Sequence, residues 1–250
     1  MSEAPFYVWA IALAGDVALP TLIGVAVFGG ALATGRDRAR AAWFAGAAAT
    51  VVGAWTLVSA LIAQRGGYHG RLGDGPPWLP IAAVGAIAGF YALTRIPAAG
   101  RVLTAPGMES RLLVPHAMRV AGFVFLAMMF LGRLPALFAI PAGLGDIATG
   151  LAAPFVARSV SAGNGYRNAL WFNIFGMADL ILALTLGAIT GFHLIDVTPA
   201  SDANGLLPLA LIPTAEVPAL LILHVTALRA LRTRAGAPVP ARVRPAGVPA

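Results

Sequence analysis

Residues 112–157 read LLVPHAMRVAGFVFLAMMFLGRLPALFAIPAGLGDIATGLAAPFVA, an apolar run of 46 residues. A single helix of that length would reach ~69 Å at 1.5 Å per residue, more than twice the ~30 Å hydrocarbon core of a bilayer. The run must therefore fold back on itself. The break falls at Gly132, Arg133 and Leu134, ahead of Pro135, where a tight polar hairpin separates spans 112–132 and 135–157. Working outward, the same length test gives spans 78–94 and 168–190 on either side, then 41–63 and 206–229, then 8–33. The expected fold is an all-α membrane protein of seven transmembrane helices over residues 1–231. The first span is preceded by Glu3 and no basic residue and is too long for the apolar region of a signal peptide, so it is expected to stay as an anchor.

Composition points the same way. Apolar residues make up 59% of the chain and charged residues 11%, with mean hydropathy +0.82, which leaves too little polar surface for a soluble fold. Soluble enzymes, nucleic-acid binders and disulfide-framed secreted domains are excluded. The absence of cysteine removes thiolate catalysis, cysteine-ligated zinc and iron–sulfur clusters. All 17 basic residues are arginine, and without lysine no side-chain Schiff base can form. The partners left open are the lipid bilayer, a proton or small solute, and a second copy of the chain in a homo-oligomer.

Arginine placement sets the expected orientation. Fourteen arginines fall on one side of the seven-span layout: Arg36, Arg38 and Arg40; Arg95, Arg101, Arg111 and Arg119; Arg158 and Arg167; and Arg229, Arg232, Arg234, Arg242 and Arg244. Only Arg65, Arg71 and Arg133 fall on the other. Basic residues concentrate in cytoplasmic loops, so the N-terminus is expected outside and the C-terminus inside a bacterial cytoplasmic membrane. Residues 232–250, rich in Pro, Ala and Arg without an apolar period, read as a disordered cytoplasmic tail.

Two short echoes suggest internal duplication. Gly15-Asp16-Val17-Ala18 is followed 130 residues later by Gly145-Asp146-Ile147-Ala148, and Leu79-Pro80-Ile81-Ala82 is followed 128 residues later by Leu207-Pro208-Leu209-Ala210. The implied plan is a 3+1+3 parallel repeat with the fourth span as linker, similar in architecture to the sugar-transporting SWEET proteins.

Four of the ten acidic residues fall inside spans: Asp16, Asp146, Asp179 and Glu216. Counted inward at 1.5 Å per residue they lie ~12, ~16, ~16 and ~15 Å deep, a single layer near the bilayer centre. Each Asp at a helix centre costs ~2.5–3.5 kcal/mol on insertion scales, so the layer has to be compensated. Arg119 and Arg133 read as lying near opposite span ends, free to snorkel, so no cation is expected at that depth. The carboxyls are expected to be neutral and bonded to backbone and Asn173, or to face a wet cavity that takes up a proton or cation. Pro20, Pro141, Pro213 and Pro218 stand within five residues of three of these acids and free backbone carbonyls near them, as broken transporter helices do around ions.

Gly143-Leu144-Gly145-Asp146 resembles the GxGD element of presenilin-like and prepilin-peptidase intramembrane aspartyl proteases, and Pro218-Ala219-Leu220 is similar to the PAL element of presenilins. The resemblance implies Asp146 as one of two catalytic aspartates sharing a proton. The sequence departs from that pattern, because the only earlier intramembrane aspartate is Asp16, four spans away, and presenilins have nine spans. His116 and His224 fall at matching depth, ~6–8 Å from the arginine-rich face, where they read as interfacial histidines. They are also the one pair with the placement of b-type haem or metal ligands, although no cofactor is expected. The expected function is a transporter or channel-like carrier that binds protons or a small cationic or polar solute at the carboxylate layer. The alternatives are an accessory subunit of a membrane complex, the aspartyl protease and the haem protein.

Overall fold

The computed structural model describes residues 4–69 and 75–235, and every regular element among them is helical. In order they are α1 (Phe6–Ala33), α2 (Arg38–Gln64), α3 (Trp78–Arg95), α4 (Pro97–Leu103), α5 (Met108–Arg111), a 3-10 segment (Val114–Gly122), α6 (Phe123–Phe130), α7 (Ala136–Ser161), α8 (Tyr166–Gly191), a 3-10 turn (Asp202–Gly205), a π-helical turn (Ile212–Glu216) and α9 (Val217–Ala235). Seven stretches are long and apolar enough to cross a membrane, the fourth running Met108–Phe130 and the seventh Ile212–Arg234. Helix is the conformation such stretches must take, because lipid offers nothing to an open backbone N–H or C=O.

Local chemistry sets the breaks. Asp37 caps α2 by accepting the Arg40 N–H at 2.8 Å. Pro97 opens α4 at its first turn, where a missing N–H costs nothing. The predicted hairpin closes as a left-handed turn: Gly132 has φ +67°, the Arg133 N–H bonds the Met128 carbonyl at 2.9 Å, and Pro135 precedes α7. Four span ends differ from the expected bounds by four residues or more, among them α7, which runs to Ser161 rather than 157, and the last span, which runs to Arg234 rather than 229. The fourth span begins at Met108 rather than 112, through α5 and the 3-10 segment. The last begins at Ile212 rather than 206, because Pro208 removes a backbone donor and residues 207–210 form a turn. At the far end, Arg232–Ala235 continue α9, and the rest of the expected tail lies outside the described residues.

The last span is the hub of the bundle, with Leu220, Leu221, Ile222, Leu223, Ala227, Ala230 and Leu231 all buried. By contrast α2 is peripheral. It packs on α1 and buries only Ala41, Val52, Ser59 and Ala63, while Trp43 and Leu57 point outward. One end of the bundle gathers Val8, Leu134 and Leu209 into an apolar cluster. The other end joins the Arg234 guanidinium to Glu109 and the Val160 carbonyl.

Candidate functional site

Arg119 is the middle residue of the 23-residue span Met108–Phe130 and is 2% exposed. This overturns the expectation that no cation stands at the depth of the carboxylates. A span counted from residue 112 sets Arg119 near its end, whereas the span begins at Met108, four residues earlier. The 3-10 segment, rising ~2.0 Å per residue instead of ~1.5 Å, carries it deeper still. Its Nε donates to Asp146 Oδ1 at 2.7 Å, and its Nη2 is ion-paired with Asp179 Oδ2. Its Nη1 reaches the Gly176 carbonyl and His224 Nε2, each at 3.3 Å. All three guanidinium nitrogens are thus engaged, as burial of an arginine requires.

The orientation of His224 follows from its neighbours. Asn173 Nδ2 donates to the Ala169 carbonyl at 2.7 Å, which turns Asn173 Oδ1 toward His224 Nδ1 at 2.9 Å. Nδ1 therefore carries the proton, and Nε2 presents its lone pair to Arg119, an assignment made from the hydrogen-bond network. His116 stacks on His224 with ring centroids 3.8 Å apart and planes 22° from parallel. Both rings are fully buried in the bundle. They are in face-to-face contact, with no gap between the two rings. Among the described residues no group of three or more His, Cys, Asp or Glu is arranged to hold a metal ion.

Glycines make room for these polar side chains. A Cβ on Gly145 would fall inside the Asp179 carboxyl, one on Gly122 inside the Asp146 side chain, and one on Gly176 inside the His224 ring. A Cβ on Gly15 would stand 2.7 Å from Glu216 Oε1. Each charged or imidazole group is therefore seated against bare backbone of a neighbouring span, which brings the helices close enough for one guanidinium to reach three of them.

Glu216 ends the π-helical turn, where the ladder of the last span loosens at Pro213. The neighbouring polar groups of that turn are tied to α2. Trp55 Nε1 donates to the Thr214 carbonyl at 2.7 Å, and Ser59 Oγ bonds Thr214 Oγ1 at 2.5 Å. Glu216 lies within electrostatic reach of Asp16 and Asp146. With Arg119 and Asp146 it lines a cavity of about 30 Å³, room for one or two waters. The walls come from both large apolar clusters, Phe125 from one and Leu180, Val217 and Leu220 from the other, so the polar layer sits at their seam. Both oxygens of Asp16 and both ring nitrogens of His116 are buried and find no hydrogen-bond partner among the described residues.

The structure thus brings Asp146, Asp179 and Glu216 around Arg119. Asn173 joins through His224, not through a direct bond to a carboxyl as expected. For the proteolytic resemblance the geometry differs from a dyad: the guanidinium of Arg119 bridges Asp146 and Asp179 where a shared proton would stand. The sequence reading missed Arg119 and the part played by His116 and His224. The available signal was an arginine with apolar residues on both sides and Gly122 one turn later. No curated protein and no solved structure matches the chain. Residues 76–232, which include Arg119, Asp146, Asp179, Glu216, Asn173 and both buried histidines, match the model of a domain of unknown function, DUF8737, and the chain belongs to that family.

Proposed function

We propose that this multi-pass membrane protein is a carrier that binds protons or a small cationic solute at the layer formed by Asp16, Asp146, Asp179 and Glu216. The observation that supports the reading is an imbalance of charge. Four carboxyls share the layer with one guanidinium, and Asp16 has no partner among the described residues. At ~2.5–3.5 kcal/mol per buried acid, the excess is best neutralised by something mobile, and protons or a cation supply that. The small cavity beside Glu216 gives such a species a place against both Glu216 and Asp146.

The same reading takes the N-terminus as outside and the C-terminus as inside a bacterial cytoplasmic membrane. Moving Arg119 from loop to core leaves thirteen arginines against three, still a strong bias. It also takes in the 3+1+3 repeat, supported by the two Gly-Asp pairs: Gly15 seats Glu216, Gly145 seats Asp179, and both α1 and α7 pack on the 3-10 segment of the fourth span.

The test is proton uptake into proteoliposomes enclosing a pH-sensitive dye, driven by an imposed potassium diffusion potential. Wild type is expected to acidify the lumen faster than empty vesicles, and Asp16→Asn and Glu216→Gln, which cannot ionise, are expected to abolish the difference while keeping wild-type elution and helicity. Uptake equal in wild type, both variants and empty vesicles would overturn the proton as the species carried.

A further inference from the structure

A second cavity, of about 390 Å³, opens at the end of the bundle that carries the 65–68 turn and the 192–211 segment. Its volume lies in the range of small-molecule sites. Phe125, Ile212 and Val217 line both this vestibule and the small cavity at Arg119, so a wall one side chain thick separates them.

The lining has a consistent chemistry. Phe125 and Phe138 meet edge to face with centroids 5.2 Å apart, and Tyr68 and Phe192 add two more aromatic rings. Among its described lining residues there is no arginine, and the one carboxylate is Asp202, half-exposed and 3.1 Å from His193 Nε2. Asn204, 8% exposed, also lines it, and its side-chain carbonyl oxygen is buried with no donor among the described residues. Aromatic faces and a carboxylate attract positive charge, and an unpartnered amide carbonyl calls for an N–H. A bare metal ion would need a cage of oxygens, which this mostly apolar wall does not offer.

We infer that the vestibule binds an organic ammonium, an amine carrying an apolar or aromatic substituent, and is the entry site for the solute of the carrier. The inference rests on the carrier reading and names its solute class. The ammonium hydrogen-bonds Asn204 and is drawn by Asp202, while the substituent packs on Phe125, Phe138 and Phe192. The substituent then faces the partition beyond which the carboxylates lie, and the ammonium stays at the Asn204 and Asp202 end of the vestibule.

The experiment is isothermal titration calorimetry of the full chain in lipid nanodiscs with three probes of similar shape: 2-phenylethylammonium, neutral 2-phenylethanol and anionic 3-phenylpropionate. Saturable binding of the ammonium alone is expected. Phe138→Ala and Asn204→Leu should each weaken it about tenfold, and Asp202→Asn several-fold. Leu57→Ala, on the outward face of α2, should bind as wild type. Asp202 is half-exposed, so its variant keeps the test decisive if a core substitution fails to fold. Equal binding of all three probes, no binding of the ammonium to folded wild type, or binding unchanged by Asp202→Asn would overturn the inference. Proton uptake without ammonium binding would sink the solute class and leave the carrier reading standing. Ammonium binding without proton uptake would remove the proton from the carrier reading and leave the organic ammonium as its solute.

Discussion

Arg119 on the fourth span and Asp146 on the fifth meet in the buried centre of the bundle with Nε 2.7 Å from Oδ1, and the same guanidinium holds Asp179 on the sixth span. Arg119 is the buried cation that offsets part of a carboxylate layer otherwise costly to keep in a membrane. It leaves Asp16 and Glu216 outside its direct bonds, so its geometry divides the four acids into two held by a fixed cation and two outside its hydrogen bonds.

Arg119→Met is expected to destabilise the protein by about 3–5 kcal/mol, because it strands two carboxyls that lose their shared partner. Arg119→Lys should recover little, since an ammonium cannot reproduce the planar fork that serves Asp146, Asp179 and Gly176 together. The triple variant Arg119→Met, Asp146→Asn, Asp179→Asn should be more stable than Arg119→Met alone. Thermal unfolding in detergent measures all three, and a triple variant less stable than the single one would show that the triad is not the source of the loss.

Gly145→Ala is expected to cost about 1–3 kcal/mol, because the new methyl takes the place of the Asp179 carboxyl and pushes it from Arg119. Gly46→Ala on α2 meets nothing within 4 Å and should melt like wild type. Similar melting of the two variants would contradict the glycine seats.

The His224 tautomer can be read by 15N NMR of labelled imidazoles. Wild type should show Nδ1 protonated and Nε2 bare. Asn173→Leu removes the acceptor for the Nδ1 proton, should shift that signal, and should lower stability by about 1–3 kcal/mol through an unsatisfied buried donor. A wild-type spectrum with the proton on Nε2 would mean that Arg119 is not donating to His224.

Reporter fusions test the orientation. A fusion after Ala250 should behave as cytoplasmic, and one in the turn at Gly66 as extracytoplasmic. The same sidedness for both would be incompatible with seven crossings.

Hydropathy and chain length sufficed for the seven spans and the hairpin at Gly132–Leu134, because the cost of leaving water sums over neighbouring residues and helix length grows in proportion to residue count. The pairing of Arg119 with residues 27 and 60 positions away, the stacking of His116 on His224 across 108 positions and the glycine seats beneath the acids were decided by tertiary structure alone. Each depends on which way a side chain faces around its helix and on which helix lies opposite. The 3-10 segment at Val114–Gly122 and the π-helical turn at Ile212–Glu216 change both rise and rotation per residue, so a regular α-helical count along the chain misplaces the residues they carry.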